Sequence, residues 1–173
     1  MDRQVKLPNF LIVGAAKSGT TSLYHYLKQH PNVFMPTYKE PQYFVAEKVK
    51  GRIYKSISSF VEYQSLFKGV CQEAVGEASV FYLYFHKEAI PKIQEILGDK
   101  VKIIIVLRNP VDRAFSAYRH VSRNSLKETL SFEEALLAEK GRLEREPNMT
   151  PMAMYKSMSM YNESIKAYQL AFE

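Results

Sequence analysis

The chain has 173 residues, 46% of them hydrophobic and 24% charged, which is the composition of a single globular domain with a substantial core. Its net charge of +6 suits an anionic ligand, but no cluster of lysine and arginine is dense enough to indicate a nucleic-acid-binding surface. Cys71 is the single cysteine, so an internal disulfide framework and a cysteine-rich metal site are excluded, and we expect Cys71 to be a small buried apolar residue.

Patterns typical of membrane insertion or secretion are missing from the sequence. The longest apolar runs, such as Val101–Leu107, are far too short to span a bilayer. No charged segment followed by an apolar stretch and a small-residue cleavage site opens the chain. We therefore predict one domain over residues 1–173, no transmembrane segment and a cytoplasmic location, although a lumenal domain trimmed of its anchor would have the same features.

The first half of the chain alternates between a strand, helices and a loop. Asn9–Gly14 is an apolar run before a glycine-containing turn, which predicts a buried strand. Thr20–His30 has apolar residues at helical spacing and is followed by a proline, so we predict a helix there. Residues 31–45 contain three prolines and no clean period, which predicts a loop or short irregular pieces. Ser56–Lys68 is predicted to be a helix that a glycine ends.

The middle of the chain contains the most strand-like segment. Glu73–Glu77 could form a short strand, and His86–Leu97 is predicted to be a helix. Val101–Leu107 is a nearly continuous β-branched run, which indicates a strand covered on both faces in a parallel sheet. Pro110 suits the first turn of the next helix, with Asn109 as its N-cap and an end near residue 123.

The last part of the chain is predicted to be helical. Ser131 and Glu134 have the spacing of a capping box, and Tyr161–Phe172 is predicted to be the final helix. Between them, residues 149–160 contain five methionines, which fit either a flexible lid or apolar lining for a ligand, or, as we favour, a mobile loop whose methionines fill gaps in the core. Alternating strands and helices predict a three-layer α/β/α fold with a central parallel sheet.

The segment LIVGAAKSGTTS, residues 11–22, has the features of a phosphate-binding loop. Gly14 and Gly19 would let the backbone approach an anion at the start of a helix, where the helix dipole favours negative charge. The ATPase loop places a lysine directly after the second glycine, but Thr20 occupies that position and Lys17 lies inside the loop. A tight strand–helix turn without a ligand is the alternative interpretation.

A second candidate anion site follows the predicted strand Val101–Leu107. Arg108 lies at its carboxyl end, which is the edge where open α/β sheets bind ligands. Ser116 follows about two helical turns later, and the two side chains could bind a phosphate by charge and by hydroxyl. Taken alone, a helix-capping arginine and an ordinary small helical residue explain the pattern equally simply.

Together these segments resemble the sulfotransferase family, which uses 3′-phosphoadenosine 5′-phosphosulfate (PAPS) as sulfuryl donor and releases 3′-phosphoadenosine 5′-phosphate (PAP). KSGTTS, residues 17–22, is similar to the family's 5′-phosphosulfate loop, and LRNPVDRAFS, residues 107–116, to its 3′-phosphate motif. KEPQYF, residues 39–44, resembles a segment of the heparan sulfate-type and bacterial branch. The resemblance implies a P-loop NTPase-like sulfotransferase fold.

The resemblance also implies roles for individual residues. Lys17 would stabilise charge on the departing phosphate, and Arg108 with Ser116 would bind the 3′-phosphate. The rest of the 5′-phosphate site would be Ser18, Gly19, Thr20, Thr21 and Ser22. Since the donor needs no Mg²⁺ bridge between phosphates, no metal is expected.

A general base is needed because the acceptor hydroxyl or amine loses a proton as it attacks sulfur. Glu40 matches the family's catalytic glutamate. Without the resemblance, a loop carboxylate paired with Lys39 is an equally good interpretation of this residue. Glu77 is the second candidate, and His86 and His120 are weaker ones because helical histidines are more often structural. The acceptor itself is not identified; a glycan, a lipid or a small metabolite would each fit.

The chain is shorter than the family it resembles. A late glycine-rich basic loop that normally closes over the 3′-phosphate and adenine is not found, and without tryptophan any adenine stacking must use Tyr or Phe. A non-catalytic or truncated nucleotide-binding module is therefore the alternative to an active enzyme. A P-loop NTPase or kinase is disfavoured by the position of Lys17.

Overall fold

A four-stranded parallel sheet forms the centre of the molecule in the computed structural model, which describes residues 5–123 and 128–172. The strand order is β2-β3-β1-β4, and each pair is parallel. Ile12 on β1 is opposite Ala78 on β3 and Ile104 on β4. The strands are β1 (Phe10–Gly14), β2 (Val33–Phe34), β3 (Ala74–Ala78) and β4 (Lys102–Ile105).

Helices follow or separate these strands along the chain. Four are longer, namely α1 (Thr20–Lys28), α4 (His86–Leu97), α5 (Pro110–Arg123) and α8 (Asn162–Ala171). Four are shorter, namely α2 (Ala46–Val49), α3 (Phe60–Ser65), α6 (Phe132–Ala138) and α7 (Arg142–Arg145). No helix among the described residues has the length and apolar composition of a membrane span.

Both faces of the sheet are covered, as the apolar character of its strands predicts. Leu11 and Val13 belong to a large core cluster that includes residues of α4, α5 and α8. Ile12, between them on β1, packs instead with Tyr24 of α1 and with Met35. Because successive strand residues point to opposite faces, this split places helices on both sides of the sheet. The predicted three-layer α/β/α architecture is confirmed.

Two predicted elements differ from the observed ones. The helix expected over residues 56–68 is limited to α3, which Ser59 caps by accepting from the Glu62 amide. Before it the chain is held in a loop, where the Ile57 amide donates to the Pro41 carbonyl at 2.8 Å. The segment over residues 31–45, predicted as a loop or short irregular pieces, contains the two-residue strand β2, which pairs with residues of β3 that lie 41 positions later (Val33 with Ala74). Both differences come from tertiary contacts.

Cys71 is exposed, so the expectation that it is buried is wrong. It lies in the short connection between α3 and β3, and its Sγ is 3.5 Å from the carbonyl oxygen of Gly69. Connections of this kind run over the surface because a buried loop would leave its backbone polar groups without hydrogen-bond partners. A free cysteine in such a turn is exposed despite its apolar character.

The methionine-rich segment, residues 149–160, packs onto α5. Three of its five methionines, Met149, Met154 and Met158, are buried in the core. The buried Arg113 of α5 binds this segment through Nε to Ser159 Oγ at 2.7 Å and Nη2 to the Tyr155 carbonyl at 2.8 Å. The interpretation of these methionines as core fillers therefore holds for three of them.

Candidate active site

The candidate site lies where the carboxyl ends of three strands meet. The loop of residues 15–19 follows β1, the residues after Ala78 follow β3, and Arg108 follows β4. Backbone hydrogen bonds join these connections: the Ala15 amide donates to the Val106 carbonyl at 2.8 Å, and the Ser79 amide donates to the Ile12 carbonyl at 3.1 Å. This edge is the usual ligand-binding edge of an open α/β sheet.

The loop after β1 has the backbone of an anion-binding turn. Lys17 and Gly19 both have positive φ, 68° and 94°, the left-handed conformation that recurs in anion-binding turns. A Cβ at Gly19 would meet no atom within 4 Å, so glycine is needed there for its conformation. The first turn of α1, which starts directly afterwards, contains no acidic residue. The positive end of the helix dipole is therefore uncompensated.

One cleft opens directly over this loop, and we call it the loop cleft. It has a volume of about 460 Å³. Besides the loop itself, it is bordered by the carboxylate of Glu40 and by Ser116 and His120 of α5. Residues that were predicted from the loop motif and line it are Lys17, Gly19, Thr20 and Thr21.

A second cleft of about 480 Å³ adjoins the first along α5, and we call it the arginine cleft. It shares Lys17, Ser116 and His120 with the loop cleft and adds Arg108. The sequence analysis missed two further cations of this cleft, Arg119 and Arg123, which follow Ser116 on the same face of α5. Asp112 is the carboxylate in its lining. The two predicted phosphate-binding motifs thus come together at one place.

Two residues predicted from the loop motif, Ser18 and Ser22, do not line the loop cleft. Ser18 Oγ is buried and has no hydrogen-bond partner among the described residues. This hydroxyl could donate to a bound anion only after a small rearrangement. Ser22 lies in the first turn of α1, is exposed, and is not among the residues that line the loop cleft. Arg108 is fixed by its backbone, because the Tyr161 hydroxyl donates to its carbonyl at 3.2 Å.

Lys17 is electrostatically coupled to the residues around it. Burial lowers the pKa of its ammonium group, and the neighbouring charge of Arg108 lowers it further. Glu40 acts in the opposite direction and raises it. Two cations close enough to disfavour each other are stabilised by a shared anion, as a ligand that carries two phosphates would provide.

Glu40 borders the loop cleft and is held in an unusual backbone conformation. Its φ is 59°, and its amide donates to the Ala78 carbonyl at 3.1 Å. The carboxylate forms an ion pair with Lys39 and accepts from Gln42 Nε2 at 3.5 Å. Glu40 is therefore paired with Lys39, as one interpretation of the sequence expects, and it also lines the loop cleft, where its role as a base stays a prediction.

Glu77, the second candidate base, lies away from the clefts. It is on β3, is 0% exposed, and does not line any of the clefts described here. Burial raises its pKa from 4.5 to about 7, although the hydroxyls of Ser79, Tyr82 and Tyr63 lower it. A carboxylate without access to the cleft cannot take a proton directly from an acceptor.

His120 is better placed than the sequence analysis predicted. It lies four residues after Ser116, so both side chains occupy one face of α5. Burial and then the charge of Lys17 lower its pKa, whereas Glu40 raises it. His86, the other weak candidate, instead lines a separate cavity of about 420 Å³ behind Ala15 and Ala16. The spacing from Ser116 was the signal that could have identified His120.

A third cleft, the outer cleft, opens beside Glu40 and His120 and has a volume of about 680 Å³. Lys55 lies over the Tyr38 ring at 4.7 Å from its centroid. Both residues line the outer cleft, together with the aromatic, apolar and basic side chains of Arg52, Tyr54, Phe81 and Met152. Loop residues far apart in sequence form this cleft, and local patterns could not predict it.

Within residues 5–123 and 128–172, no group of three or more His, Cys, Asp or Glu side chains is arranged to hold a metal ion.

Comparison with known proteins gives consistent results. Residues 7–169 match the family described as "Sulfotransferase domain". Human bifunctional heparan sulfate N-deacetylase/N-sulfotransferase 3 is 34% identical over 120 residues, which make up 66% of this chain and 13% of that protein. The membrane-associated sulfotransferase kil1 of Dictyostelium discoideum is 38% identical over 125 residues, 72% of this chain and 25% of that protein.

A solved structure gives the same result for the fold. The crystal structure of a sulfotransferase from Alicyclobacillus acidocaldarius superposes with a TM-score of 0.87 and 41% sequence identity. The match covers 97% of this chain and 70% of that chain. The chain therefore spans most of the bacterial protein but only a small part of the curated relatives.

Proposed function

This chain belongs to the sulfotransferase domain family, and from that premise we propose that it transfers a sulfuryl group from PAPS to a hydroxyl or amine acceptor. The observation that carries the proposal is the convergence of two anion sites on shared residues. Lys17 and Ser116 line both the loop cleft and the arginine cleft. A nucleotide with phosphates at both its 5′ and 3′ positions would occupy both clefts at once.

The residues of the two clefts fit such a donor. The backbone amides and hydroxyls at the start of α1 would hold the 5′-phosphate, assisted by the helix dipole. Thr20 and Thr21, with Gly19 at the turn, line the loop cleft, and Ser18 and Ser22 are their neighbours in the motif. Arg108 and Ser116 would hold the 3′-phosphate. The arginine cleft has more cationic side chains than its one carboxylate, Asp112, which suits a dianionic group. Its cations are Lys17, Arg108, Arg119 and Arg123.

The reaction would proceed by in-line displacement at sulfur. The acceptor oxygen or nitrogen forms a bond to sulfur while the bond from sulfur to the 5′-phosphate oxygen breaks, and PAP leaves. Lys17 would stabilise the negative charge that develops on this departing oxygen. Glu40 would take the acceptor proton, because it borders both the loop cleft and the outer cleft.

His120 is the second candidate for the proton-accepting group. It lines the same clefts as Glu40, and burial keeps its pKa below the ordinary value of 6.5, which favours the neutral imidazole. The choice between the two groups is open to direct test by substitution.

Transfer of label from ³⁵S-labelled PAPS tests the proposal. N-desulfated heparan sulfate, a simple phenol and a long-chain alcohol would serve as probes for the glycan, small-metabolite and lipid classes of acceptor. We expect the wild-type chain to label at least one of them and to produce PAP in equal amount. Binding of PAP without any transfer would instead favour the non-catalytic nucleotide-binding module.

A further inference from the structure

A buried carboxylate lies behind the loop cleft. Glu77 Oε2 accepts hydrogen bonds from the Tyr82 hydroxyl at 3.0 Å and the Tyr63 hydroxyl at 3.2 Å. No lysine or arginine of the described part of the chain forms an ion pair with it. A buried carboxyl group without a cationic partner is costly, so a role beyond packing is expected.

The residues around Glu77 hold the segment that carries Glu40. Three backbone amides of residues 40–44 donate to the connection after β3. Glu40 donates to the Ala78 carbonyl at 3.1 Å, and Gln42 donates to Ser79 Oγ at 2.9 Å. Phe44 donates to the Tyr82 hydroxyl oxygen at 3.4 Å.

Segment 40–44 needs such support because its backbone is strained. Glu40 and Gln42 have φ values of 59° and 52°, in the left-handed region that residues with side chains rarely adopt. Such a conformation is unfavourable for a residue with a side chain and persists only where the surroundings hold it. The direction of the Glu40 side chain depends on this conformation.

Tyr82 and Ser79 both link the buried carboxylate to this segment, because both hydroxyls interact with Glu77 and each accepts from an amide of the segment. Tyr82 does so through its phenolic hydroxyl. The hydroxyl has one proton, which it donates to Glu77, so its oxygen lone pairs are left to accept from the Phe44 amide. If Glu77 offered no acceptor, the hydroxyl would be free to rotate. The bond to the amide would then lose its preferred direction.

We propose that Glu77 is a positioning residue, which orients the Tyr82 hydroxyl and thereby holds segment 40–44 with Glu40 facing the clefts. The inference rests on the proposed function, since Glu40 is the base only if the chain transfers a sulfuryl group. Glu77 itself touches neither donor nor acceptor. It acts through the protein, and its loss would lower turnover without weakening donor binding.

Tyr63 supplies a matched control for Tyr82. Both hydroxyls donate to the same oxygen of Glu77, but only that of Tyr82 also accepts from the segment. Tyr63 contacts the segment through its ring, which stacks on Tyr43 at 4.4 Å, and phenylalanine keeps this ring. Tyr82→Phe and Tyr63→Phe therefore remove the same bond to Glu77 but differ in their effect on residue 44.

The experiment measures kcat, KM and PAP affinity for both variants in the wild-type and Glu40→Gln backgrounds. We expect Tyr82→Phe to lower kcat roughly tenfold and Tyr63→Phe to change it less than about twofold, with PAP affinity unchanged in both. Because Tyr82 acts through Glu40, Tyr82→Phe should cause no further loss in the Glu40→Gln background. Equal losses in the two tyrosine variants, or an additive loss with Glu40→Gln, would overturn the proposal.

Hydrogen exchange separates this inference from the proposed function. The amides of Gln42 and Phe44 are expected to exchange faster in Tyr82→Phe and in Glu77→Leu than in Tyr63→Phe, whether or not the chain transfers sulfate. Glu77→Gln retains an acceptor oxygen and should restore slow exchange. Equal exchange rates in all four variants would show that Glu77 does not hold the segment, even if wild-type transfer is observed.

Discussion

Lys17 lines both the loop cleft and the arginine cleft, with Arg108 and Glu40 as its charged neighbours. Its position inside the loop suits an oxygen that gains charge during the reaction, and such groups act mainly in the transition state. Lys17→Ala should therefore lower kcat by about 10²–10³-fold while weakening PAP binding much less. Calorimetry with PAP and label-transfer kinetics measure the two effects separately. Lys28→Ala on α1 is the matched control, and an equal loss of binding and turnover in Lys17→Ala would contradict the transition-state role.

Glu40 carries the second prediction at this scale. Glu40→Gln keeps the size of the side chain but removes the proton acceptor, so turnover should fall by about 10²-fold or more with PAP affinity nearly intact. Glu47→Gln, on the neighbouring helix α2, is the control for loss of a negative charge. Wild-type turnover in Glu40→Gln, together with a large loss in His120→Asn, would assign the base to His120.

Glu77 gives a prediction about stability. Its pKa is about 7 in the folded protein against 4.5 ordinarily, so between these values the folded state binds more protons than the unfolded state. Stability of the wild type should therefore fall as pH rises through this window. Glu77→Gln removes this dependence. Its free energy of unfolding relative to that of the wild type should therefore rise by on the order of 3 kcal/mol as the pH is raised from about 5 to about 8.

Urea unfolding at the two pH values measures this difference. Glu95→Gln, at an exposed position on α4, is the control for the loss of a carboxylate. A Glu77→Gln protein whose stability changes with pH in parallel with the wild type would show that the buried carboxyl group is not the cause.

Single residues were predicted from the sequence where a local motif fixes their role. Lys17, Arg108 and Ser116 were identified because each lies at a set distance from a glycine or from a strand end. Cys71 was assigned wrongly because burial depends on the path of the chain rather than on residue type. The hydrogen bond that the Phe44 amide donates to the Tyr82 hydroxyl joins residues 38 positions apart, and no local pattern encodes it.

At the scale of elements, the starts of α5 and α6 were predicted from their capping residues. Asn109 caps α5 by accepting from the Val111 and Asp112 amides, and Ser131 with Glu134 forms the predicted capping box. These signals are local and depend on one side chain meeting nearby amides. Strand β2 was missed because two residues have too little pattern, and its stability comes from pairing with β3.

Arg113 joins two elements and allows a test of how the methionine-rich segment is held. Arg113→Met removes its hydrogen bonds to Ser159 and to the Tyr155 carbonyl. Ser159 Oγ then loses the donor that it accepts from, and the Tyr155 carbonyl retains the bond from the Ser159 hydroxyl. We expect a loss of about 2–4 kcal/mol in the free energy of unfolding, measured with urea. Arg119→Met, an exposed position on the same helix, should change it by less than about 0.5 kcal/mol. Equal effects would mean that Arg113 contributes no more than a surface arginine.

At the scale of the whole molecule, the central position of β1 brings the site together. β1 lies between β3 and β4 and is parallel to both, so the connections after all three strands meet at one edge. The sequence predicted a parallel sheet but not its order, because order depends on pairings between distant segments. The clefts therefore contain predicted residues, such as Lys17, beside unpredicted ones, such as Met152.

The central claim is that the two clefts together bind a nucleotide phosphorylated at both the 5′ and the 3′ position. Calorimetric titration of the wild-type chain and of Arg108→Ala with PAP, and with ADP and Mg²⁺-ATP as comparators, tests it most directly. We predict that PAP binds more tightly than ADP by at least about tenfold in the wild type, and that Arg108→Ala removes this preference. Equal affinity for PAP and ADP, or a preference that survives in Arg108→Ala, would contradict the account.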